Sequence, residues 1–301
     1  MERLHTSTVT QDQIDHLGHM NVRFYTVLAC AGAGELAARL GVGAGEATRT
    51  WVRDIYVRHH REQLVGAPLE VRGGVLDARP DRLRVYEELA NADTGVLAAT
   101  FVLGLAAVAG EDRSPASLSA EDMECARARS VGIPEHGRSR SISFEDDPAA
   151  GAPTLEELLA RDLARQEARV VQADECDEDG WYPSDTMMAL VWRGTPLAGR
   201  EHQPFHQTPD GRTMGWATME TRAFWSRLPR VGDRVQSFAA ELGVGAKTTT
   251  TRHWVYDLDR AELVGGFTVV NLAFDVEARR GIEIPEELRE TLRARLQPDL
   301  A

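Results

Sequence analysis

Hydrophobic positions in the first half of the chain follow a helical period over one segment and a strand-like pattern over the next four. The stretch from Val22 to Leu40 predicts a helix that ends at Gly41. Its bulky residues recur near helical spacing: Phe24, Tyr25, Leu28, Leu36 and Leu40. Four segments with β-branched and aromatic residues then predict strands: Trp51–His59, Leu69–Leu76, Arg82–Ala90 and Leu97–Val108. One helix followed by consecutive antiparallel strands is typical of an α+β unit.

Two glycines interrupt the predicted helix. Gly32 and Gly34 would each cost about 1 kcal/mol relative to alanine within a helix. Such a cost is tolerable if the helix lies tightly against a sheet, where a larger side chain would clash.

The second half of the chain repeats landmarks of the first in the same order. The segment around Gly66 resembles the segment around Gly232, and the segment around Phe101 resembles that around Phe267, at the same interval. Similar intervals separate Asp15-His16-Leu17-Gly18 from Asp177-Glu178-Asp179-Gly180, and the IPE motifs at Pro134 and Pro285. These correspondences predict a tandem duplication of one α+β unit.

The predicted boundary between the copies is a linker. Residues 144–153 are rich in Pro, Ala, Gly and acidic residues, which favours domains at 1–143 and 154–301. Thr154 and Glu157 form a capping-box pattern that predicts an amphipathic helix up to about Arg169. The segment Ser117–Arg129 and the tail from Pro285 also have helical patterns.

Composition narrows the class of protein. The 301 residues are 43% hydrophobic and 27% charged, which excludes a disordered or fibrous chain. A net charge of −13 argues against sequence-independent nucleic-acid binding. Three widely spaced cysteines without a CxxC motif argue against a disulfide scaffold or a zinc ribbon. We expect a cytoplasmic protein with no signal peptide or membrane helix.

The segment Asp15 to Tyr25 combines groups that could carry chemistry. It places a carboxylate, a glycine turn, an imidazole and a carboxamide just before the predicted helix, whose first amides can stabilise an oxyanion. Asp15 could act as a general base or attack a carbonyl directly, while Asn21 and His19 could orient it or the reacting water. The alternative is structural: Asp15 and Asn21 could simply build an Asx-type loop and cap the helix.

The stretch DHLGHMNVRFY resembles the D-x-x-G-H-[VM]-N-x-x-x-Y signature of hot-dog-fold thioesterases, the hydroxybenzoyl-CoA and acyl-ACP thioesterase superfamily. The resemblance implies a tandem double hot-dog, each unit an antiparallel sheet wrapped around a long central helix. It also implies that Asp15 is the catalytic carboxylate, with His19 and Asn21 in support. The remaining positions implied to bind substrate are Gly18, Met20, Val22 and Tyr25, with an oxyanion hole formed by the amides near Met20–Val22.

The second copy departs from this signature. Trp181 stands in place of His19 and Pro183 in place of Asn21, while Asp177 and Gly180 are kept. One interpretation is a degenerate site that leaves one working site per chain. The other is a second site of altered geometry in which Asp177 or Asp185 still acts.

Two weaker features bear on ligands. Arg58, His59, His60 and Arg61 form a compact basic cluster that could receive a coenzyme A phosphate or could be a solvated strand end; we carry Arg58 and Arg61 as substrate-binding candidates. His202 and His206 have an H-x3-H spacing, but Pro204 between them argues against a helical zinc site, so no metal is expected.

The resemblance therefore implies hydrolysis of an acyl thioester of coenzyme A or an acyl carrier protein, with no further cofactor. Two alternatives stay open at this point: a hot-dog hydratase or dehydratase acting on acyl-CoA, and a non-catalytic acyl-CoA-binding module. The usual hydratase pattern G-D-x-x-x-N-P-x-H is absent. No nucleic acid or membrane partner is expected, and exposed sheet edges would favour self-association.

Overall fold

The computed structural model describes residues 1–15, 17–42, 48–110, 113–192 and 205–300. The chain forms two compact units. Unit 1 comprises Met1–Phe144 with Ser184–Thr186, and unit 2 comprises Glu145–Pro183 with Met187–Ala301. The division between Phe144 and Glu145 coincides with the start of the segment predicted as a linker, whereas the grouping of Ser184–Thr186 with unit 1 was not predicted.

Unit 1 consists of one long helix on an antiparallel sheet. Its strands are β1 (Glu2–Thr8), β2 (Thr48–His59), β3 (Pro68–Arg79), β4 (Arg82–Asn91), β5 (Leu97–Ala109) and the short β6 (Ser114–Pro115). Its helices are α1 (Val22–Arg39) and α2 (Ala120–Arg127). The strands are ordered β1-β3-β4-β5-β2, and β6 pairs with β5. The predicted helix and all four predicted strands are therefore confirmed, with bounds that differ by a few residues.

Helix α1 begins and ends where its sequence predicts. The side chain of Asn21 accepts a hydrogen bond from the Arg23 amide at the start, and Gly41 adopts a φ of 75° after the last turn. The buried face of α1 includes Tyr25, Leu28 and Leu36. These side chains pack on the sheet and account for much of the stability of a helix that its intrinsic propensity would not fix alone.

The two helical glycines behave differently. A Cβ at Gly32 would lie 2.7 Å from Cγ1 of Val71, so the expected close approach to the sheet is confirmed there. Gly34 is exposed and a Cβ would meet nothing within 4 Å. Close packing on the sheet therefore does not explain Gly34, because this residue lies two positions along the helix and faces away from the sheet.

Unit 2 has the same order of long strands. Its strands are β7 (Ala164–Arg165), β8 (Arg169–Val170), β9 (His206–Gln207), β10 (Thr213–Trp225), β11 (Arg234–Val244), β12 (Thr248–Asp257), β13 (Glu262–Asp275) and β14 (Arg280–Gly281). Its helices are α3 (Leu155–Leu159), α4 (Met187–Trp192) and α5 (Glu286–Arg293). The principal order is β7-β11-β12-β13-β10, and all these pairs are antiparallel.

The predicted helix after Thr154 is only partly correct. The capping box forms, with the Glu157 amide donating to Thr154, but α3 ends at Leu159. The following residues instead pair with the edge of β11, where Arg165 lies opposite Phe238. Pairing with an exposed sheet edge overrides a modest helical propensity, since isolated helices of this length are marginal. The helical predictions for Ser117–Arg129 and the tail from Pro285 are confirmed by α2 and α5.

Within the described ranges, none of the helices is both long enough and hydrophobic enough to cross a membrane.

Candidate active site

The loop before α1 is held by its own backbone. The amide of Asp15 donates to the carbonyl of His19 at 2.9 Å, and the amide of Gly18 donates to the carbonyl of Asp15 at 3.0 Å. Gly18 has a φ of 84°, a conformation that glycine adopts without steric cost. The Gly18 prediction therefore has a structural explanation in the turn itself.

The Asp15 carboxylate has one oxygen engaged in the loop and the other directed at an imidazole. Oδ1 accepts a hydrogen bond from the Leu17 amide at 2.8 Å, as in an Asx turn. Oδ2 lies 3.5 Å from Nδ1 of His19. Both side chains are partly accessible, Asp15 to 15% and His19 to 14%. The structural interpretation thus accounts for one oxygen of Asp15 and leaves the other for chemistry.

Glu62 is the site residue that the sequence did not reveal. Its Oε1 lies 3.4 Å from Nε2 of His19, close enough for a charge interaction but not aligned as a hydrogen bond. The imidazole therefore lies between two carboxylates. Nothing in the local sequence signals this contact, because Glu62 is distant along the chain and belongs to the segment after β2. The neighbouring residue brings it there, since the Gln63 carbonyl accepts the Met20 amide at 2.8 Å.

Asn21 serves as the N-cap of α1. Its Oδ1 accepts from the Arg23 amide at 3.1 Å and its carbonyl from the Phe24 amide at 3.0 Å. This is the helix-cap alternative that the sequence analysis left open. The side-chain oxygen of Asn21 therefore serves as the helix cap, whereas the side-chain nitrogen keeps two N–H groups that can donate hydrogen bonds.

The amides expected to form an oxyanion hole are not equivalent. The Met20 amide donates to Gln63 and the Asn21 amide donates to the Gln13 carbonyl at 2.9 Å. In the described part of the chain, the Val22 amide donates to no acceptor. Val22 is the first residue of α1, where unpaired amides carry partial positive charge. Of the three predicted donors, the Val22 amide is the one whose N–H group has no acceptor among the described residues.

Tyr25 links the first turn of α1 to the end of β2. Its hydroxyl donates to the Arg61 carbonyl at 3.3 Å and accepts from the Gln63 amide. Burial raises the pKa of Tyr25, and the charges of Glu62 and Asp15 add to the effect. Tyr25 therefore stays a neutral phenol that positions the segment carrying Glu62.

The predicted basic cluster is divided between the two faces of the sheet. His59 contacts Tyr25 on the α1 side, whereas the Nε2 atom of His60 lies 3.3 Å from Thr100 on the other side. Arg58 also lies on that outer side, where its guanidinium donates to the carbonyls of His136 and Arg138, each at 3.0 Å. The four residues do not form one anion site, because neighbouring strand residues point to opposite faces. That Arg58 and Arg61 bind substrate stays a prediction.

The second copy of the loop has the same backbone hydrogen bonds. The Asp177 amide donates to the Trp181 carbonyl at 2.9 Å, the Gly180 amide donates to the Asp177 carbonyl at 2.9 Å, and Gly180 has a φ of 80°. The Tyr182 amide donates to the Pro229 carbonyl at 2.9 Å, as Met20 does to Gln63. The two loops therefore share individual backbone hydrogen bonds as well as a sequence pattern.

The chemistry of the second loop is different. Oδ1 of Asp177 accepts from both the Asp179 and Trp181 amides, at 3.1 and 2.9 Å. The ring of Trp181 lies under the Arg230 guanidinium, 4.6 Å from its centroid. Trp181, at the position of His19, thus makes a cation–π contact with Arg230 instead of a contact with a carboxylate such as Glu62.

The structure gives no support to a metal centre in its described part. No group of three or more His, Cys, Asp and Glu side chains there is arranged to hold a metal ion. Of the two histidines weighed as zinc ligands, His202 lies outside the described residues, and His206 lies in the short strand β9.

Comparison with known proteins finds a family model that matches this loop and its surroundings. Residues 9–138 match the model of a family described as the thioesterase-like superfamily. No curated protein matches the sequence.

Solved structures similar to this one cover almost the whole chain. A 12:0-ACP thioesterase from Umbellularia californica has a TM-score of 0.64 at 11% identity, covering 90% of this chain and 93% of its own. An acyl-ACP thioesterase from Bacteroides thetaiotaomicron has a TM-score of 0.62 at 11% identity, covering 89% and 96%. A provisionally assigned oleoyl thioesterase from Lactobacillus plantarum has a TM-score of 0.65 at 14% identity, covering 90% and 95%.

Identities this low show a shared fold and no more. Residues 9–138 thus resemble the thioesterase-like superfamily, and the chain shares the fold of these solved thioesterase structures.

Proposed function

We propose that this protein hydrolyses acyl thioesters at the loop of unit 1, with Asp15 as its catalytic carboxylate. The observation that carries the proposal is the combination of Asp15 Oδ2, which faces His19 at 3.5 Å, with a helix N-terminal Val22 amide that has no acceptor among the described residues. A carboxylate can attack, or direct water to, a carbonyl whose oxygen an unused backbone donor stabilises.

In the proposed reaction the Val22 amide donates to the thioester carbonyl oxygen. The positive end of the α1 dipole adds to this stabilisation as negative charge develops on that oxygen. The carbonyl carbon gains a bond to oxygen, its bond to sulfur breaks, and the sulfur leaves as thiolate and is then protonated. His19 is the positioning residue, since it contacts Asp15 on one side and Glu62 on the other.

Two routes to the carbon–oxygen bond stay open. As a general base, Asp15 takes a proton from water, which then attacks the carbon. As a nucleophile, Asp15 forms an acyl anhydride and expels thiolate, after which water hydrolyses the anhydride. A single turnover in ¹⁸O-labelled water tests for the anhydride, because water that attacks its Asp15 carbonyl carbon leaves label in the Asp15 carboxylate, whereas the general-base route leaves all label in the released acid. Neither route needs a metal or organic cofactor, since thiolate is a good leaving group.

We further propose that the chain is a tandem double hot-dog with one working site. The matching strand orders and the matching loop hydrogen bonds of Asp15 and Asp177 support a duplication. The double engagement of Asp177 and the Trp181–Arg230 contact support loss of function in the second copy. A site relieved of function can accept such changes because the first copy performs the reaction.

The thiol carrier is proposed as coenzyme A or an acyl carrier protein. The structures similar to this chain include thioesterases described by their action on acyl-ACP, which supports the second carrier at the level of fold alone. Arg61 remains the candidate for carrier phosphate, because its carbonyl accepts from Tyr25 and its side chain therefore starts beside the site.

The test is a thiol-release assay over short, long, aromatic and cationic acyl thioesters on both carriers. We expect release from at least one substrate and its loss by a factor of about 10² or more in Asp15→Asn. Asparagine keeps an oxygen for the Leu17 amide, so the loop is preserved. Enoyl absorbance without thiol release would instead assign a hydratase or dehydratase, and tight binding without turnover would assign a binding module.

Asp177→Asn is the matched control. It makes the same change in the loop with the same backbone hydrogen bonds. We expect it to retain full turnover, and a loss comparable to that of Asp15→Asn would contradict the single-site proposal.

A further inference from the structure

His59 is a buried histidine that the proposed reaction does not use. It is the last residue of β2, and its ring lies edge-on to Tyr25 with centroids 5.1 Å apart. Burial lowers its pKa to about 4, and the neighbouring His60 adds to the effect. His59 is therefore a neutral imidazole at physiological pH, with one nitrogen that donates and one that accepts a hydrogen bond.

The ring nitrogens of His59 have no partner among the described residues. Buried polar side chains are almost always hydrogen-bonded, because leaving one unpaired costs about 1–3 kcal/mol. His59 nevertheless keeps part of its surface accessible although protein surrounds it closely enough to depress its pKa. The imidazole is thus a partly accessible polar group beside Tyr25 that is able to hydrogen-bond a ligand.

A second unpaired polar group lies on the same face of the sheet. Val57 pairs with Phe101, which pairs with Glu87, so Glu87 shares the face of Val57 and His59. Both carboxyl oxygens of Glu87 are buried without a hydrogen-bond partner, and burial raises the pKa of this carboxyl. The sheet spacings put the two groups about 12 Å apart. The layer between α1 and the sheet thus contains a second polar group without a hydrogen-bond partner.

We propose that His59 is a specificity-determining residue that binds a hydroxyl or oxo oxygen carried by the acyl group. This inference rests on the thioesterase function proposed above. The acyl group, and not the carrier, is assigned to this contact because His59 points to the buried α1 side of the sheet. Tyr25, against which it packs, lies in the first turn of α1, the turn that begins with Val22. The oxygen is therefore on one of the first carbons from the thioester.

The preferred substrates are then short oxygen-bearing acyl thioesters, such as 3-hydroxyacyl and 3-oxoacyl esters. A hydroxyl can accept a hydrogen bond from the N–H of a neutral imidazole or donate one to the other nitrogen, and an oxo group can accept from the N–H. One such hydrogen bond corresponds to a preference of about tenfold in kcat/KM over the unsubstituted chain.

The experiment compares 3-hydroxybutyryl-CoA with butyryl-CoA in three proteins. Wild type is expected to prefer the hydroxylated ester about tenfold, and His59→Phe is expected to reduce the ratio of kcat/KM values to about one, mainly through KM. His60→Phe is the matched control on the opposite face, where the ratio should stay at the wild-type value. His59→Gln, which restores a donor and an acceptor, should recover part of the preference.

Equal kcat/KM values for the two esters in wild type would overturn the proposal. An equal loss of kcat/KM for both esters in His59→Phe would also overturn it, because it would assign His59 to carrier binding or to packing. Preference for a cationic acyl ester over both would overturn it too. Calorimetric binding of the two esters to Asp15→Asn measures the preference without turnover, as a ratio of dissociation constants. If no thioester is hydrolysed but this ratio depends on His59, the proposed function fails and the inference stands.

Discussion

Gly32 of α1 and Glu87 of β4 approach so closely that a Cβ on Gly32 would lie 2.9 Å from Oε1 of Glu87. The same added atom would lie 2.7 Å from Cγ1 of Val71. Gly73 of β3 makes room on the other side, since a Cβ there would lie 2.8 Å from Cγ of Glu87. Two glycines thus provide the space in which a carboxyl without a hydrogen-bond partner is enclosed.

This contact predicts opposite effects for two alanine substitutions in one helix. Gly32→Ala gains about 1 kcal/mol of helix propensity but overpacks the contact with Val71 and Glu87 at a cost of about 1–3 kcal/mol. We expect a net decrease in the free energy of unfolding. Gly34→Ala meets nothing within 4 Å and should raise it by about 1 kcal/mol. Urea unfolding of both variants measures the difference, and equal shifts would contradict the close packing at Gly32.

The contact between His19 and Glu62 predicts a kinetic role for Glu62. Glu62→Gln keeps the shape of the side chain but removes the charge 3.4 Å from His19. Because Glu62 is 49% exposed, the interaction is worth about 1 kcal/mol at most, and we expect kcat to fall about fivefold with KM little changed. Glu70→Gln on β3 is the control, since Glu70 pairs with Arg72. A fall in kcat of the same size in both variants would argue against a role through His19.

The cap formed by Asn21 predicts which substitutions preserve activity. Asn21→Ala loses the hydrogen bond to the Arg23 amide and should destabilise the protein by about 1 kcal/mol. Asn21→Ser keeps a capping oxygen and should retain both stability and most of the turnover. Thermal unfolding and thiol release are measured on both. Turnover abolished in Asn21→Ser despite normal stability would show that the carboxamide acts beyond the cap.

His253 of β12 predicts a pH dependence of stability. Burial lowers its pKa to about 4, against about 6.5 in an unfolded chain. Between these values the unfolded state binds more protons, so the contribution of His253 to stability is present above pH 6.5 and is lost as the pH falls towards 4. His253→Phe cannot be protonated and keeps a ring for the stacking contact with Phe267, which has centroids 4.3 Å apart.

Wild type should therefore lose stability relative to His253→Phe as the pH falls from 7.5 to 5. Denaturant unfolding at several pH values measures the difference in free energy of unfolding between the two proteins. Because both proteins contain groups such as Glu87, the opposite pH dependence of those groups cancels in this difference. Parallel stability curves would show that His253 is not desolvated in the folded protein.

The sequence by itself determined the elements of unit 1 and the motif at its site. The period of Phe24, Tyr25, Leu28 and Leu36 marked α1, and alternating strand segments marked β2 to β5, because local patterns of burial reflect the geometry of each element. Asp15, Gly18 and Asn21 could be assigned to a turn and a cap because their hydrogen bonds are made within a few residues.

Only the tertiary structure decided the contacts between distant segments. Glu62 reaches His19 because the Gln63 carbonyl pairs with Met20, and His59 and His60 separate because a strand presents them to opposite faces. The segment after Leu159 pairs with β11 although its local pattern is helical. Local periodicity records which side of an element is buried, but partners across a sheet or a loop are fixed by long-range register, which no short window of sequence contains.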